Sequence, residues 1–363
     1  MKAWRFHGFN DMRLDDVPEP DCGQGHVLVE PLCVQPSVTE AQLAKGIPTL
    51  AYERVKRRLE TEAPVQLFGH EFCARILEVG PDVSRFQPGD RVAARAKLPC
   101  GSCPLCRSER SDLCRKGPVI GFDLPGCFAE RARLPEIALV KVDARISDSE
   151  AACLQSLSDS VAAVETVQLR LADTVVIFGQ GCMGLECLQI ARLSGAGLII
   201  TADVREEACR ISRALGADHA LDGRACDVVS SIRDLTGGNG ADVVFECAGG
   251  SPKQGLAGSQ SLVQALDAVR SGGKIIGVSW FGTPLLLDVD LFRERSLRYI
   301  FPDISTRSHL EHTVRLVASG RVQVTPTITH VLRGIESVPA AFDITANKGT
   351  YKAINPAQVV LRA

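Results

Sequence analysis

Two hydrophobic patterns divide the chain. After about residue 173, short apolar runs rich in β-branched residues recur: TVVIF, LIITAD, ADHALD, ADVVFECAGG and GGKIIGVSWFG. Each ends in a turn. Segments of helical periodicity, such as ACRISRALG and SLVQALDAVRSGG, separate them. Strand and helix in alternation predict an α/β architecture with a doubly wound parallel sheet. Before residue 155 the pattern changes. HVLVEPLCV, FCARILEVG, DRVAARAKL and CFAERARL are short apolar runs broken by Gly, Pro and Asp, which predicts an irregular antiparallel β lobe. After residue 300 come one helical segment, SHLEHTVRLVASG, and two strand-like pieces, TITHVL and QVVLRA. That tail is too small for a domain and is expected to fold back on the first lobe. The expected organisation is 1–156, 157–299 and a returning 300–363.

Composition narrows the function classes. The chain has 363 residues, 45% hydrophobic and 23% charged, with a formal net charge of -2. Nothing in that balance favours nucleic acid or a membrane surface, and no run is apolar enough to span a bilayer. The N-terminus MKAWRFHGFNDMRLDD lacks an apolar signal core, so a cytoplasmic location is expected. Fourteen cysteines then read as reduced thiols, most of them scattered in apolar surroundings.

Four cysteines are different. LPCGSCPLCRSERSDLCRKG places Cys100, Cys103, Cys106 and Cys114 as C-x2-C-x2-C-x7-C, in a lobe over about 95–117. Two-residue gaps let a turn aim successive thiolates at one point, and four thiolates close a tetrahedral zinc shell. An iron–sulfur cluster is the rival reading. A closed shell has no open position, so such a zinc is structural.

The nucleotide signal is GQGCMG. It follows TVVIF directly and opens a helical pattern, and the acidic Asp203 ends the next strand. A bare G-x-G-x-x-G is weak evidence, but between strand and helix it is a dinucleotide fingerprint. Gly179 permits the turn, Gly181 lets the pyrophosphate approach, and Gly184 lets helix and strand pack closely. Cys182 and Met183 lie between the glycines at the helix N-terminus, which faces the phosphates. Asp203 is expected to bind the ribose hydroxyls and so to favour NAD over NADP, with Arg205 softening that exclusion. The turns after VVFECA and IIGVSW, with Ala248 and Val278, are expected to line the nicotinamide side.

One more stretch carries chemistry: VQLFGHEFCARILEVG. His70 and Glu71 adjoin in a run that reads as strand, and a strand sends neighbours to opposite faces. A lone His among apolar residues is more often structural than a ligand.

Together, GHEFCARILEVG, FQPGDRVA, the four-cysteine lobe, GQGCMG, ADVVFECAGG and GGKIIGVS resemble, in order and over nearly the whole length, the zinc-containing alcohol and polyol dehydrogenases of the medium-chain dehydrogenase/reductase superfamily. The resemblance implies a GroES-like catalytic domain followed by a Rossmann domain, NAD as cofactor, a small-molecule substrate and a homodimer or homotetramer. It also implies that His70 is a catalytic zinc ligand. Here the chain departs from its relatives. Where they carry a ligand Cys followed by Ser/Thr and Asp, it has Ser37, Thr39 and Glu40; Cys33 is four positions early. Where they carry a further ligand before the Rossmann domain, it has Gln155, with Asp159 one helical turn on. Ser37, His70, Glu71 and Gln155 form a poor zinc set, because hydroxyl and amide oxygens replace anionic ligands. The catalytic zinc is therefore expected to be weak or absent.

Two mechanisms follow. With zinc, the metal polarises the substrate oxygen and Thr39 relays the proton. Without it, His70 acts as acid/base and Ser37 and Thr39 orient the substrate. The leading expectation is an NAD-dependent oxidoreductase of a secondary alcohol, polyol or activated hydroxyl. The alternatives are a zinc-free reductase of a conjugated C=C or C=N bond, and a non-catalytic nucleotide-binding regulator. An insertion, GIPTLAYERVKRRLETEAP, places Tyr52, Val55 and Leu59 at helical spacing among Arg54, Lys56, Arg57 and Arg58. A solvated surface helix is the first reading, and a cationic lid for an anionic substrate the second. His309 and His312 are read as surface residues.

Overall fold

The computed structural model of the chain describes residues 1–250, 258–282 and 284–362. In chain order the strands are β1 (Lys2–Gly8), β2 (Asp11–Asp16), β3 (His26–Gln35), β4 (Glu71–Val79), β5 (Arg91–Ala94), β6 (Ala132–Pro135) and β7 (Leu139–Lys141). Then come β8 (Thr174–Phe178), β9 (Leu198–Asp203), β10 (His219–Asp222), β11 (Ala241–Glu246), β12 (Val269–Gly277) and β13 (Arg298–Ile300). β14 (Val331–Arg333) and β15 (Gln358–Val360) close the chain. It divides into two compact units, residues 1–158 with 304–363, and residues 159–303. Among the described residues no helix is long and apolar enough to cross a membrane.

In the first unit, β14-β15-β3-β4-β5-β7 form one sheet, with β6 added beside β3. β15 runs antiparallel to β3, so QVVLRA returns to the first lobe as expected. β5 and β6 are shorter than their apolar runs, and TITHVL yields only the three residues of β14 after a 3-10 turn at Thr325–Thr327. The gain from burial lies in an aromatic cluster: Phe6 packs edge-on to Phe68 at 4.9 Å, and Phe128 meets Phe342 of the C-terminal part at 5.1 Å.

The second unit is a six-stranded sheet of order β10-β9-β8-β11-β12-β13, every pair parallel. Its β8, β9, β11 and β12 bury nearly every Val and Ile, as strands covered on both faces must. The strand order reverses between β8 and β11. Ligands of such sheets bind outside the carboxyl ends of the strands at that point.

Candidate active site and metal centre

His70 does not lie within β4. Phe68 and Gly69 both take positive φ, 67° and 83°, and turn the chain just before the strand begins at Glu71. Gly69 is required there, because a Cβ would sit 2.9 Å from the Cys127 nitrogen. The alternation expected for a strand therefore fails, and His70 Nε2 lies 3.9 Å from Glu71 Oε1. The two side chains share one site.

Glu40 anchors that site; the sequence set it at the Asp of the relatives' motif but gave it no partner. Ser37 is the N-cap of α1 (Val38–Ala44): its hydroxyl accepts from the Glu40 N–H at 3.1 Å, while Glu40 Oε2 accepts from the Ser37 N–H at 3.0 Å. This is a capping box, and its signature Ser-x-x-Glu is present in SVTE. The other oxygen, Oε1, accepts from the Gly69 N–H at 2.9 Å and pairs with His70 Nδ1 at 2.5 Å. Glu40 is fully buried. An unpaired carboxylate there would cost several kcal/mol, on the order of the penalty for burying any ion, so this carboxylate needs all its donors. A proton on Nδ1, donated to this carboxylate, would set the tautomer of the ring. Thr39 lies in the first turn of α1, half-buried.

On the other side, buried Glu71 accepts from Gln35 Nε2 at 2.5 Å. Gln35 Oε1 in turn accepts from Gln358 Nε2 at 2.9 Å and from the Cys153 thiol at 3.8 Å. Cys153 immediately precedes the helix Leu154–Val167, whose first turn carries buried Gln155. Asp159 begins the second unit. Cys33 is buried on β3 opposite Cys73 and donates to Gln358 Oε1 at 3.6 Å, and burial pushes its thiol up to about 12. It is a neutral core thiol.

Of the expected zinc set, His70 and Glu71 stand together, with Glu71 Oε1 3.9 Å from Nε2 and Glu40 on Nδ1, while the hydroxyl of Ser37 and the amide of Gln155 are poor zinc donors. Among the described residues, the one group of three or more His, Cys, Asp or Glu whose ligand atoms converge is the four-cysteine lobe.

There the fit is good. Cys100 and Cys106 sulfurs lie 3.9 Å apart, Cys103 and Cys106 3.5 Å, and Cys103 and Cys114 3.9 Å. A tetrahedron with Zn–S bonds of about 2.3 Å has edges of about 3.8 Å. A multi-iron cluster would hold some of these sulfurs further apart. Backbone amides point inward: Cys103 N–H to Cys100 Sγ at 3.4 Å, Cys106 N–H to Cys103 Sγ at 3.4 Å, and Cys100 N–H to Cys114 Sγ at 3.3 Å. The N–H groups of Ser102 and Cys103 bring the Cys100 thiol down to about 6, so a thiolate is available at neutral pH.

In the second unit, GQGCMG joins β8 to the helix Cys182–Leu193. Gly179 has φ 85°, and a Cβ on it would sit 2.7 Å from the Ala248 backbone. A Cβ on Gly184 would overlap the Gly179 carbonyl, whereas one on Gly181 would meet nothing within 4 Å. The first and third glycines thus serve close packing, and the second leaves its backbone open. Cys182 donates to buried Glu186 at 3.1 Å, and Met183 Sδ accepts from Ser160 at 3.6 Å. Glu246, fully buried at the end of β11, is a second residue the motifs did not flag. It accepts from the N–H groups of Ala248 and Gly249 at 3.0 and 2.8 Å, and its carbonyl accepts from Val278 at 2.9 Å. Its carboxylate also accepts from the Ser279 hydroxyl, so one residue shapes both turns.

The insertion forms α2 (Tyr52–Glu62). Val55 is buried, Tyr52 and Leu59 pack on the same core, and Tyr52 stacks on Phe9 at 5.4 Å. Its cations face protein partners: Arg54 pairs with Asp123, Lys56 with Glu60, and Arg58 with Glu62 and the Phe122 carbonyl. The helix is a packed surface element. Phe122 also touches His70, ring to ring at 5.8 Å. In the C-terminal part, His309 serves its own helix, accepting from the Thr306 N–H at 2.9 Å.

Residues 23–144 match the alcohol dehydrogenase GroES-like domain family, and residues 182–318 match the zinc-binding dehydrogenase family. L-threonine 3-dehydrogenase of Pyrococcus horikoshii is 29% identical over 346 residues, covering 93% of this chain and 92% of that protein. A zinc-binding dehydrogenase of Sinorhizobium meliloti 1021, solved bound to NADP, is 26% identical with a TM-score of 0.85, covering 99% of this chain and 98% of that one. The alcohol dehydrogenase TADH of Thermus sp. ATN1 is 26% identical with a TM-score of 0.82 over the full length of both chains. The chain belongs to the zinc-containing alcohol dehydrogenase-like branch of the medium-chain dehydrogenase/reductase superfamily.

Proposed function

We propose that His70 is the acid/base of a secondary-alcohol dehydrogenase whose chemistry runs without a catalytic zinc. Membership of the family makes the chain an NAD-dependent, alcohol dehydrogenase-like oxidoreductase. The observation that carries the residue assignment is the Glu40–His70 pair. With Nδ1–H held by Glu40, Nε2 accepts the hydroxyl proton of the substrate. A nicotinamide held at the glycine loop of the second unit would take the carbinol hydride, so that the alcohol leaves as a carbonyl and His70 is left protonated. Ser37 and Thr39, at the start of α1, orient the substrate oxygen. Glu71, held by Gln35, keeps a negative charge near Nε2 that favours the imidazolium as it forms. The zinc assigned to Cys100, Cys103, Cys106 and Cys114 holds its lobe together and takes no part in the reaction.

In the second unit, Gly179, Gly181, Cys182, Met183, Gly184, Ala248 and Val278 form the nucleotide site, with Asp203 at the ribose position. The relatives are named for oxidising hydroxyl substrates, so reduction of C=C or C=N bonds is not favoured. A homo-oligomer in the cytoplasm completes the reading: Trp280, Val289 and Phe301 are exposed around the edge strand β13, where apolar residues suit a partner surface. The test is a panel of secondary alcohols, polyols and β-hydroxy amino acids, L-threonine among them, read by reduction of NAD. Turnover of at least one with a chelator present supports the assignment. No turnover of any would end it.

A further inference from the structure

The last strand reaches the His70 pocket through side chains whose directions are dictated in turn. Gln358 opens β15, and its Nε2 donates to the backbone carbonyl of Ser149 at 2.9 Å. A backbone carbonyl can only accept, so this contact fixes which end of the Gln358 amide carries the nitrogen. The same Nε2 donates to Gln35 Oε1 at 2.9 Å, while Gln358 Oε1 accepts from the Cys33 thiol at 3.6 Å. Gln35 then presents its oxygen to Gln358 and its nitrogen to the other side, where Nε2 donates to Glu71 Oε2 at 2.5 Å. Gln35 and Glu71 face each other in register, at the end of β3 and the start of β4. With Oε2 held as an acceptor, Oε1 is the oxygen turned towards His70 Nε2, 3.9 Å away.

Reversing the chain is unfavourable at each link. Gln35 and Gln358 are fully buried and Glu71 is buried. Turning the Gln35 amide over would set its oxygen against a carboxylate oxygen and its nitrogen against the Gln358 nitrogen. Mismatched donors and acceptors cost most in such a site. Cys153 agrees with the same direction: its sulfur accepts from Gln358 Nε2 at 3.4 Å, and its thiol donates to Gln35 Oε1 at 3.8 Å. The plainer reading is that the two glutamines tie the returning strand to the sheet. The backbone already does that, with Val359 and Val360 of β15 paired to Val34 and Cys33 of β3. For docking alone, two apolar side chains of the same shape would serve as well. What separates the glutamines from a tie is their direction, from a carbonyl that only accepts to the acid beside His70.

We infer that Gln358 is a positioning residue of the His70 pocket: through Gln35 it sets the orientation of Glu71 beside the imidazole. The inference rests on the role of His70 proposed above, and its first test needs no substrate. The side-chain amide resonances of the whole protein are recorded by NMR, and that of Gln35 is identified by its loss in Gln35→Met. A short bond to a carboxylate should hold the Gln35 proton downfield. Glu71→Gln and Gln358→Met should each move it upfield. Gln358→Lys, which brings donors for Ser149 and Gln35 and no acceptor, should keep it in place. In turnover, Gln358→Met should lower kcat roughly three- to thirtyfold, the scale of coupling within one hydrogen-bond network, and leave KM unchanged. Gln358→Lys should restore most of that loss. The double variant Gln35→Met/Gln358→Met should turn over no more slowly than Gln35→Met alone, because Gln358 acts only through Gln35. A Gln35 amide that ignores Gln358→Met overturns the inference. So does a Gln358→Met variant that loses thermal stability yet keeps its kcat, which is the signature of a tie. A wild type that turns over no alcohol would end the role given to His70, and the Gln35 resonance would still show whether Gln358 directs that amide.

Discussion

Two places in the first unit invite a metal, and they are built in opposite ways. The four-cysteine lobe gathers soft anionic donors from 15 consecutive positions, 100 to 114, and satisfies them with its own backbone amides. The His70 pocket gathers one imidazole and two carboxylates from separate elements, and satisfies the carboxylates with side chains and amides from α1, β3 and the Gly69 turn. The lobe supplies charge for an ion to neutralise. On the reading proposed above, the pocket spends its charge on hydrogen bonds instead. Donor identity alone does not make a metal site; what the donors already hold decides it.

The largest expected effect belongs to the lobe. Cys103→Ser should release zinc, measured by metal analysis, and loosen the lobe, measured by proteolysis over 95–117. Structural zinc contributes on the order of 10 kcal/mol in small zinc domains, and part of that should appear as lost stability. Nucleotide binding should survive, because the glycine loop belongs to the other unit. Metal-free protein of full activity and stability would erase the contrast. So would rapid chelator inhibition reversed by zinc, which would make the pocket a working metal site too.

Next comes His70→Ala. Loss of a positioned acid/base lowers turnover roughly a hundred- to ten-thousandfold, while the dissociation constant of NADH should stay close to wild type. A variant that keeps a tenth or more of its turnover (about 1.4 kcal/mol) would show that His70 is structural. The pocket would then be as inert as the lobe.

The sequence revealed these two regions unequally, for a physical reason. The lobe and the glycine loop are local: their spacing is their geometry, so C-x2-C and G-x-G-x-x-G are legible in a single chain. The pocket is not local. Glu40 meets His70 across 30 positions, and the turn that joins them depends on the positive φ of Phe68 and Gly69. The helix-start signal in SVTE was legible, yet it speaks of a cap and not of a histidine partner. Glu246 was hidden for the same reason, since FECAGG looks like the end of a strand and its carboxylate acts on the turns beyond. The strand pattern itself placed β3, β4 and five strands of the second sheet, and missed the short edge strand β13. It overran at β5 and β6, where the apolar runs extend into backbone that pairs through isolated bridges and turns and not through the sheet.

A smaller change sharpens the account of the pocket from within. Glu40→Gln keeps the shape and loses the charge. The amide still accepts from Gly69 or His70, but it no longer favours a protonated imidazole. Turnover should fall by roughly ten- to a hundredfold, the scale reported for partners that orient a functional histidine, and the lower limb of the pH–rate profile should move. A purely structural Glu40 would cost stability without moving that limb, so thermal unfolding of the same protein separates the two outcomes.

The smallest effect concerns α2. Arg54, Lys56 and Arg58 are tied to protein partners, and Arg58 reaches the carbonyl of Phe122, whose ring lies against His70. Arg58→Met keeps the apolar stem and removes that bond, worth roughly 1 to 3 kcal/mol for a charged donor. Most of the loss should appear as stability. A fewfold fall in turnover should accompany it if the ring of Phe122 drifts. Arg57→Ala, on the exposed side of the same helix, should change neither. A cationic lid would behave differently: Arg57→Ala and Lys56→Ala would raise KM for phosphorylated or carboxylated alcohols and leave neutral ones alone. Measuring KM for a neutral and an anionic alcohol in these variants therefore decides what the insertion does. If anionic substrates alone suffer, α2 grips the substrate, and the pocket owes part of its selectivity to the cations of that helix.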